Sequence, residues 1–402
     1  MPNPLDKALR RATAGETLTD EDAYALTHPE AVKRLDEICE IAGRQRDLRA
    51  GGILTYSPKV FLPVTNLCRD RCTYCTFRRD PGEPGEWTMS PEEIADWSGR
   101  GAKLGCFEAL LCLGDKPEIA FRGFRKVLAE HGAATTAEYV AQACKVSLRQ
   151  GLLPHTNAGL LSRSEMEMLR PLNVSMGLML ENISPRLRGR GMAHQYAPDK
   201  DPARRMQMID EAGELRIPFT TGILVGIGEN EAERVASLLA IRRSHREHGH
   251  IQEVIIQNFR AKVGTPMAGA AEITDDDMVR MVAIARLILG PQMNLQAPPN
   301  LSPDAHARLI HAGINDWGGI SPLTLDYVNP EAPWPHIDRL GSVCRSEGYE
   351  LRARLPVYPE YVNERFQDKD MLAHLRAYNP QARSGERPER AGADSPIGAV
   401  QV

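Results

Sequence analysis

Between about residues 59 and 355 the chain alternates short apolar runs with longer stretches of helical periodicity. The runs lie at 60–64, 107–113, 153–157, 174–180, 219–225, 253–258, 293–297 and 314–317, and their length and β-branched content read as strands. Residues 91–104, 201–215, 231–248 and 274–289 read as helices between them. Eight strand–helix units predict an α/β fold of the (β/α)8, TIM-type barrel class, whose usual size is ~250 residues plus insertions. A doubly wound open sheet is the alternative, but no dinucleotide fingerprint follows the first strand, and the glycines of 222–228 stand in the wrong order for one.

The flanks differ in character. Residues 1–50 carry a helix start at Thr19 to Asp22 and helical apolar spacing over 28–42, which predicts an N-terminal helical extension. The last stretch, from about Asn379, is rich in Pro, Gly, Arg, Glu and Ser, which predicts disorder. The expected organisation is therefore a helical extension (1–50), a barrel (51–362), and a helix remnant with a disordered tail (363–402).

Charge and composition exclude several classes. Lys plus Arg total 49 against 53 Asp plus Glu, a net charge of -4, so no bulk positive field exists to hold a phosphate backbone. Aromatics are only 5%, too few for a single-strand stacking platform. No apolar run reaches the roughly 18 residues of a spanning helix, and the N-terminus lacks a basic stretch followed by an apolar core. A cytoplasmic protein with neither nucleic acid nor membrane as partner is expected.

In that compartment disulfides are a poor explanation for eight cysteines. Five are scattered and suit buried apolar positions. The other three form Cys68-x3-Cys72-x2-Cys75 on the loop after the first strand, where barrels place their chemistry. Thiolates cluster when they share a metal. Structural zinc wants four ligands, and no second pair or nearby histidine follows. Three cysteines therefore suggest a [4Fe-4S] cluster with one iron open to a ligand. A chance cluster, or a zinc knuckle completed by distant residues, stays the alternative. Arg69 and Arg71 either offset the cluster's charge or are solvated loop residues.

Polar groups recur where the other strands end. Asp115 and Glu118 follow the second strand, Glu181 the fourth, and Arg205 stands on the next helix. Asn258 and Arg260 follow the sixth, Gln296 and Asn300 the seventh, and Asp316 the eighth. Each alone could be a cap, turn or ion-pair residue. Together they predict a polar substrate held by many contacts, of the kind a uracil-like ring would make.

The cysteine run, with Tyr74 before its last thiol, resembles the signature of radical S-adenosylmethionine (radical SAM) enzymes. The strings around 64–77, 220–229, 251–262, 296–300 and 316–324 resemble the first component of the 7,8-didemethyl-8-hydroxy-5-deazariboflavin (FO) synthase family, over about residues 50–362. The resemblance implies that Cys68, Cys72 and Cys75 hold a [4Fe-4S] cluster whose open iron is chelated by SAM. It further implies a 5'-deoxyadenosyl radical that takes a hydrogen from an adduct of 4-hydroxybenzyl and 5-amino-6-(ribitylimino)uracil, followed by cyclisation with loss of ammonia. That would make the chain a lyase of deazaflavin coenzyme (F-420) biosynthesis. Tyr74, Gly114, Asp115, Glu181 and Arg205 would contact SAM, and Asn258, Arg260, Gln296 and Asp316 the substrate. Gly114-Asp115 stands where the superfamily usually carries Gly-Gly-Glu. One set of cluster cysteines implies a stand-alone first component, served by a tyrosine-using sister radical SAM enzyme and a ferredoxin- or flavodoxin-type electron donor. The rivals are that sister component, a menaquinone-pathway radical SAM enzyme, and a non-catalytic metal-binding protein.

Overall fold

Residues Phe219–Val225 are buried along their whole length, as happens only when both faces of a strand are covered. They form one of eight parallel strands in the computed structural model, which describes residues 3–378. The strands are β1 Ile53–Pro63, β2 Glu108–Cys112, β3 Leu153–Asn157, β4 Ser175–Gly177, β5 Phe219–Val225, β6 Ile251–Asn258, β7 Leu295–Gln296 and β8 Asp316–Ile320. Each pairs with the next, and β8 closes on β1 from Thr55↔Asp316 to Pro58↔Ile320. This is the TIM-type barrel, and closure removes the open-sheet alternative.

The intervening helices start where the sequence provides caps. Ser90, Asn230 and Thr274 each accept a backbone N–H three residues on and donate their own N–H to that residue's carboxylate, opening Pro91–Lys103, Glu231–His248 and Asp275–Leu289. Asp201 caps Pro202–Glu214. No helix of the described residues is long and apolar enough to cross a membrane.

A ninth strand, β9 Glu350–Ala353, escapes the sequence pattern because its four residues alternate exposed and half-buried. It pairs with the first four residues of β1, while β2 pairs with the last five on the same edge. The chain then threads beneath the barrel. Tyr358, Tyr361, Phe366, Met371 and Leu375 pack with Leu153 and Val174 at the start of β3 and just before β4. The helix Lys369–Ala377 ends this segment, and the disorder expected beyond it lies outside the described residues.

Four helices, Pro4–Thr13, Asp20–Ala25, Pro29–Lys33 and Leu35–Ala50, occupy the N-terminal region. Arg46 of the last is almost fully buried and donates to the carbonyls of Ile310 and Ile314, at 3.0 and 2.9 Å, next to the foot of β8. These helices therefore leave the opposite end of the barrel, where the strands finish, uncovered.

Candidate active site

β1 ends at Pro63 and the chain turns across the barrel mouth. The turn is tied to β2 by Val64 N–H on the Cys112 carbonyl (3.0 Å) and Gly114 N–H on the Thr65 carbonyl (2.8 Å). Further on, Arg71 and Thr73 N–H groups donate to the carbonyls of Tyr196 and Ala193, on the loop after β4. Cys68, Cys72 and Cys75 are thus held half-buried on the wall of one cavity of about 360 Å³. Cys72 and Cys75 pack against Tyr74, Leu187, Ala193, Leu224, Ile227 and Phe259, an apolar shell drawn from several loops. The Tyr74 hydroxyl bonds His194 Nε2 at 3.0 Å, which pins the segment between the two thiols. Burial pushes the Cys68 thiol up to about 12 and Cys72 further still, so a metal taken up here displaces protons.

Gly114 permits a close approach of the cysteine loop to the end of β2. A Cβ there would stand 2.0 Å from the Leu67 carbonyl oxygen and 2.7 Å from Cys68 Cβ. Gly114→Ala must therefore move the cysteine loop. It is expected to cost about 1–3 kcal/mol of stability and to lower iron retention after reconstitution, read by melting and metal content.

Beside the thiols lies a charged wall. Asp70, Asp115 and Asp199 are buried, and one ligand oxygen from each lies within 4.8 Å of the others. Arg69 and Arg204 pair with Asp199 at 2.7 and 2.9 Å. Asp115 accepts the Leu160 N–H on Oδ2 at 3.0 Å, but its buried Oδ1 has no protein partner. Burial, with Asp199 and Asp70 nearby, raises its carboxyl to about 7. Its own N–H donates to Cys68 Sγ at 3.1 Å. Glu181 has a left-handed backbone, φ 63°, and its carboxylate meets Lys200 at 2.6 Å. Burial and Arg205 disfavour the Lys200 ammonium, yet Glu181 and Cys72 hold it above its ordinary value. Arg205 donates to the carbonyls of Met179 and Asp199.

The cavity floor is polar. Lys59 and Ser57 donate to Glu108 at 2.8 and 2.5 Å. Arg354, arriving from beyond β9, contacts Glu253 at 2.6 Å and both oxygens of Asp316 at 2.5 and 2.9 Å. Tyr358 also donates to Glu253, at 2.8 Å. With its amide nitrogen turned toward Glu253, Gln296 donates to both carboxylate oxygens at 3.2 and 3.1 Å. Burial raises the Glu253 carboxyl to about 7 against the pull of Arg354. Higher up, Phe61 stacks on Trp334 at 5.1 Å between ring centres, and both line the cavity.

The radical SAM superfamily model matches residues 62–241. The FO synthase of Mycobacterium tuberculosis strain H37Rv is 50% identical over 376 residues, 89% of this chain and 44% of its own length. The 7,8-didemethyl-8-hydroxy-5-deazariboflavin synthase of Methanopyrus kandleri is 48% identical over 311 residues, 77% of this chain and 93% of its own. The chain belongs to the radical SAM FO synthase family. It spans a little under half the length of the mycobacterial relative. Among solved structures, the [FeFe]-hydrogenase maturase HydG of Carboxydothermus hydrogenoformans superposes with a TM-score of 0.74 at 17% identity, covering 94% of this chain and 87% of its own. That likeness concerns the fold alone.

As a radical SAM protein the chain uses a [4Fe-4S] cluster and SAM, and two observations fit that pair. The first is the spacing of the thiols. Thiolates around one tetrahedral zinc stand roughly 3.8 Å apart. Among the described residues, only the three aspartates bring three ligand atoms within 4.8 Å of one another. At least one pair of thiols is therefore wider apart than a single ion spans, which suits a multi-iron cluster. The second is the orphaned Asp115 Oδ1, next to Gly114 and buried on the same wall, an acceptor that suits an ammonium group.

Tyr74, Gly114, Asp115, Glu181 and Arg205 all line the cavity with the cysteines. Of the four residues expected at the substrate, only Gln296 does. Asn258 donates to the Leu301 carbonyl (3.1 Å) and Ser302 Oγ (3.3 Å). Arg260 pairs with Glu272 at 3.2 Å, outside the cavity wall. Asp316 begins β8 rather than ending it, so it lies at the barrel's foot, clamped by Arg354. Glu118 caps a helix start by accepting from Thr136. Arg71 pairs with Asp80 and Arg69 with Asp199, so both are committed to carboxylates. Sequence reasoning missed Asp70, Asp199, Lys200, Lys59, Glu108, His155, Glu253 and Arg354. For those on strands a signal existed: a polar residue at an inward position of an otherwise apolar run.

Proposed function

We propose that the chain converts the 5-amino-5-(4-hydroxybenzyl)-6-(D-ribitylimino)uracil adduct, with loss of ammonia, to FO, as an ammonia-eliminating carbon–nitrogen lyase. The observation that carries it is one cavity joining three thiols and an acidic wall at its mouth to a polar floor. The identities of 48–50% to FO synthases supply the substrate class.

Cys68, Cys72 and Cys75 would hold the cluster, and Asp115, Glu181, Lys200 and Arg205 the polar groups of SAM. With SAM bound, the cluster supplies one-electron chemistry that removes a hydrogen atom from carbon. The chain's own residues bind, orient and exclude water. Asp115 Oδ1 offers a buried acceptor to an ammonium. Glu181, fixed by Lys200, suits a ribose diol. The shell of Tyr74, Leu187, Ile227 and Phe259 keeps the thiols dry. Phe61 and Trp334 offer an aromatic wall for the hydroxybenzyl ring. Gln296 with Lys59, Glu108 and Glu253 offers the ribityl-uracil end its hydrogen bonds. A tyrosine-using sister enzyme would supply the adduct and a ferredoxin- or flavodoxin-type protein the electron. All eight cysteines are outside disulfides, which suits a cytoplasmic setting.

Anaerobic reconstitution with iron and sulfide, followed by dithionite, SAM and the adduct, should yield the fluorescent deazaflavin. SAM cleavage without fluorescence would overturn the substrate assignment. In the same assay Asp115→Asn is expected to raise KM for SAM about tenfold or more, since the amide weakens a charge-assisted bond. An unchanged KM would place the methionine end elsewhere.

A further inference from the structure

His155 carries none of the roles above. It projects from β3 one inward position below Asn157, is 7% exposed, and lines the cavity with it. Its Nδ1 lies 2.7 Å from the hydroxyl of Ser175, its register partner on β4. That hydroxyl has one hydrogen, and it is directed at the Pro356 carbonyl at 2.7 Å, which can only accept. The Ser175 oxygen therefore offers the imidazole only lone pairs, and Nδ1 must carry the ring proton. Nε2 is left with a lone pair. Among the described residues it has no hydrogen-bond partner. Gly177 makes room for it: a Cβ there would stand 2.9 Å from Nε2.

The charged groups facing the ring are Glu108, Lys59 and Arg354. Burial, opposed by Glu108 and aided by Lys59 and Arg354, lowers the imidazole to about 4, so it is neutral at pH 7. The carboxylates of the floor are already engaged, Glu108 by Lys59 and Ser57, Glu253 by Arg354 and Tyr358. His155 Nε2 is not.

We propose that His155 is a specificity-determining residue of the cavity floor, a neutral imidazole held in its Nδ1–H tautomer by Ser175 and Pro356, whose Nε2 accepts a hydrogen bond from an N–H or O–H group on the polar end of the substrate. The inference rests on the proposed function, in which the ribityl-uracil end supplies such donors. A substrate offering an acceptor there would leave two lone pairs facing each other and would be rejected.

The test uses the full chain labelled with 15N-histidine. A two-bond 1H–15N correlation at pH 7 should show one neutral Nδ1–H imidazole that is absent from His155→Phe. An Nε2–H tautomer or an imidazolium at that position would overturn the proposal. In the reconstituted enzyme, His155→Phe is expected to raise KM for the adduct about tenfold or more, a rise not matched in KM for SAM. Ser175→Ala, which keeps the imidazole but releases the tautomer, should give a smaller rise in the same constant. Equal KM values for the adduct in wild type and both variants would overturn the proposal. A wild-type chain that cleaves SAM yet makes no FO would instead overturn the proposed function. The tautomer, read without substrate, separates that failure from a failure of the His155 inference.

Discussion

Cys72→Ala is expected to leave the barrel folded and to abolish its chemistry. Cys72 is the middle thiol of three, bedded in the shell of Tyr74, Leu187 and Phe259, and truncation there removes little volume. It does remove one of the three proposed protein anchors of a cluster that needs all of them. Losing a group that merely supports a ligand already weakens metal sites by about 10–100-fold, so loss of a ligand should exceed that. Reconstituted Cys72→Ala should hold substoichiometric iron, lack the visible absorbance of the cluster and form no 5'-deoxyadenosine. Full iron content with undiminished SAM cleavage would mean that Cys72 is no ligand. One zinc per chain and no iron in the wild type would favour a metal-binding protein without this chemistry.

The second large effect concerns Arg354→Met. This guanidinium is buried between the Glu253 carboxyl and the Asp316 carboxylate and bonds both. Removing one partner of a buried pair costs about 3–5 kcal/mol, because the remaining charge is uncompensated. For a chain of this size unfolding as one unit, that lowers Tm by about 5 °C. The pH dependence follows from the directions of the two carboxyls. Glu253 is raised to about 7 in the fold, so between its ordinary 4.5 and that value the folded chain holds a proton the unfolded chain has lost. Its contribution to stability therefore falls as pH rises through that window. Without Arg354 the carboxyl rises further, and the deficit of the variant should be larger at pH 8 than at pH 5. Asp316 is lowered by Arg354 against its burial, and that contribution is lost only in strong acid. Arg354→Met combined with Asp316→Asn should recover part of the loss. A Tm deficit that does not change with pH would show that the guanidinium is held for packing instead.

The barrel was legible because strands covered on both faces are continuous apolar runs, and β3 and β5 fall where the sequence puts them. The ends of β8 were not legible. Its expected span of 314–317 made Asp316 a residue of the mouth, whereas the strand runs Asp316–Ile320 and puts that carboxylate at the foot. Glycines 318 and 319 give the strand no side chain to reveal its extent. The place of the cysteine loop, Asp115 and Glu181 on the cavity wall was legible because each follows a strand, and that of Arg205 because it stands in the first turn of the next helix. The floor gave only the weaker signal of polar residues at inward strand positions. His155 and Glu253 look like isolated polar residues within strands, and only closure of the barrel brings them together. Arg354 carries no signal at all, because it enters from beneath the barrel, directly after a strand that local periodicity does not show.

The position of β9 has a consequence for how the chain comes to be folded. β1 emerges from the ribosome among the first elements, yet the lower half of its edge waits for residues 350–353, some three hundred residues later. Until Arg354 arrives, Glu253 and Asp316 lack the guanidinium that bonds both. Final closure is therefore a late, long-range event, of the kind that makes folding slow and sensitive to interruption. A nascent chain stopped before residue 354 would hold every strand of the barrel and still lack the charge that lets its interior settle.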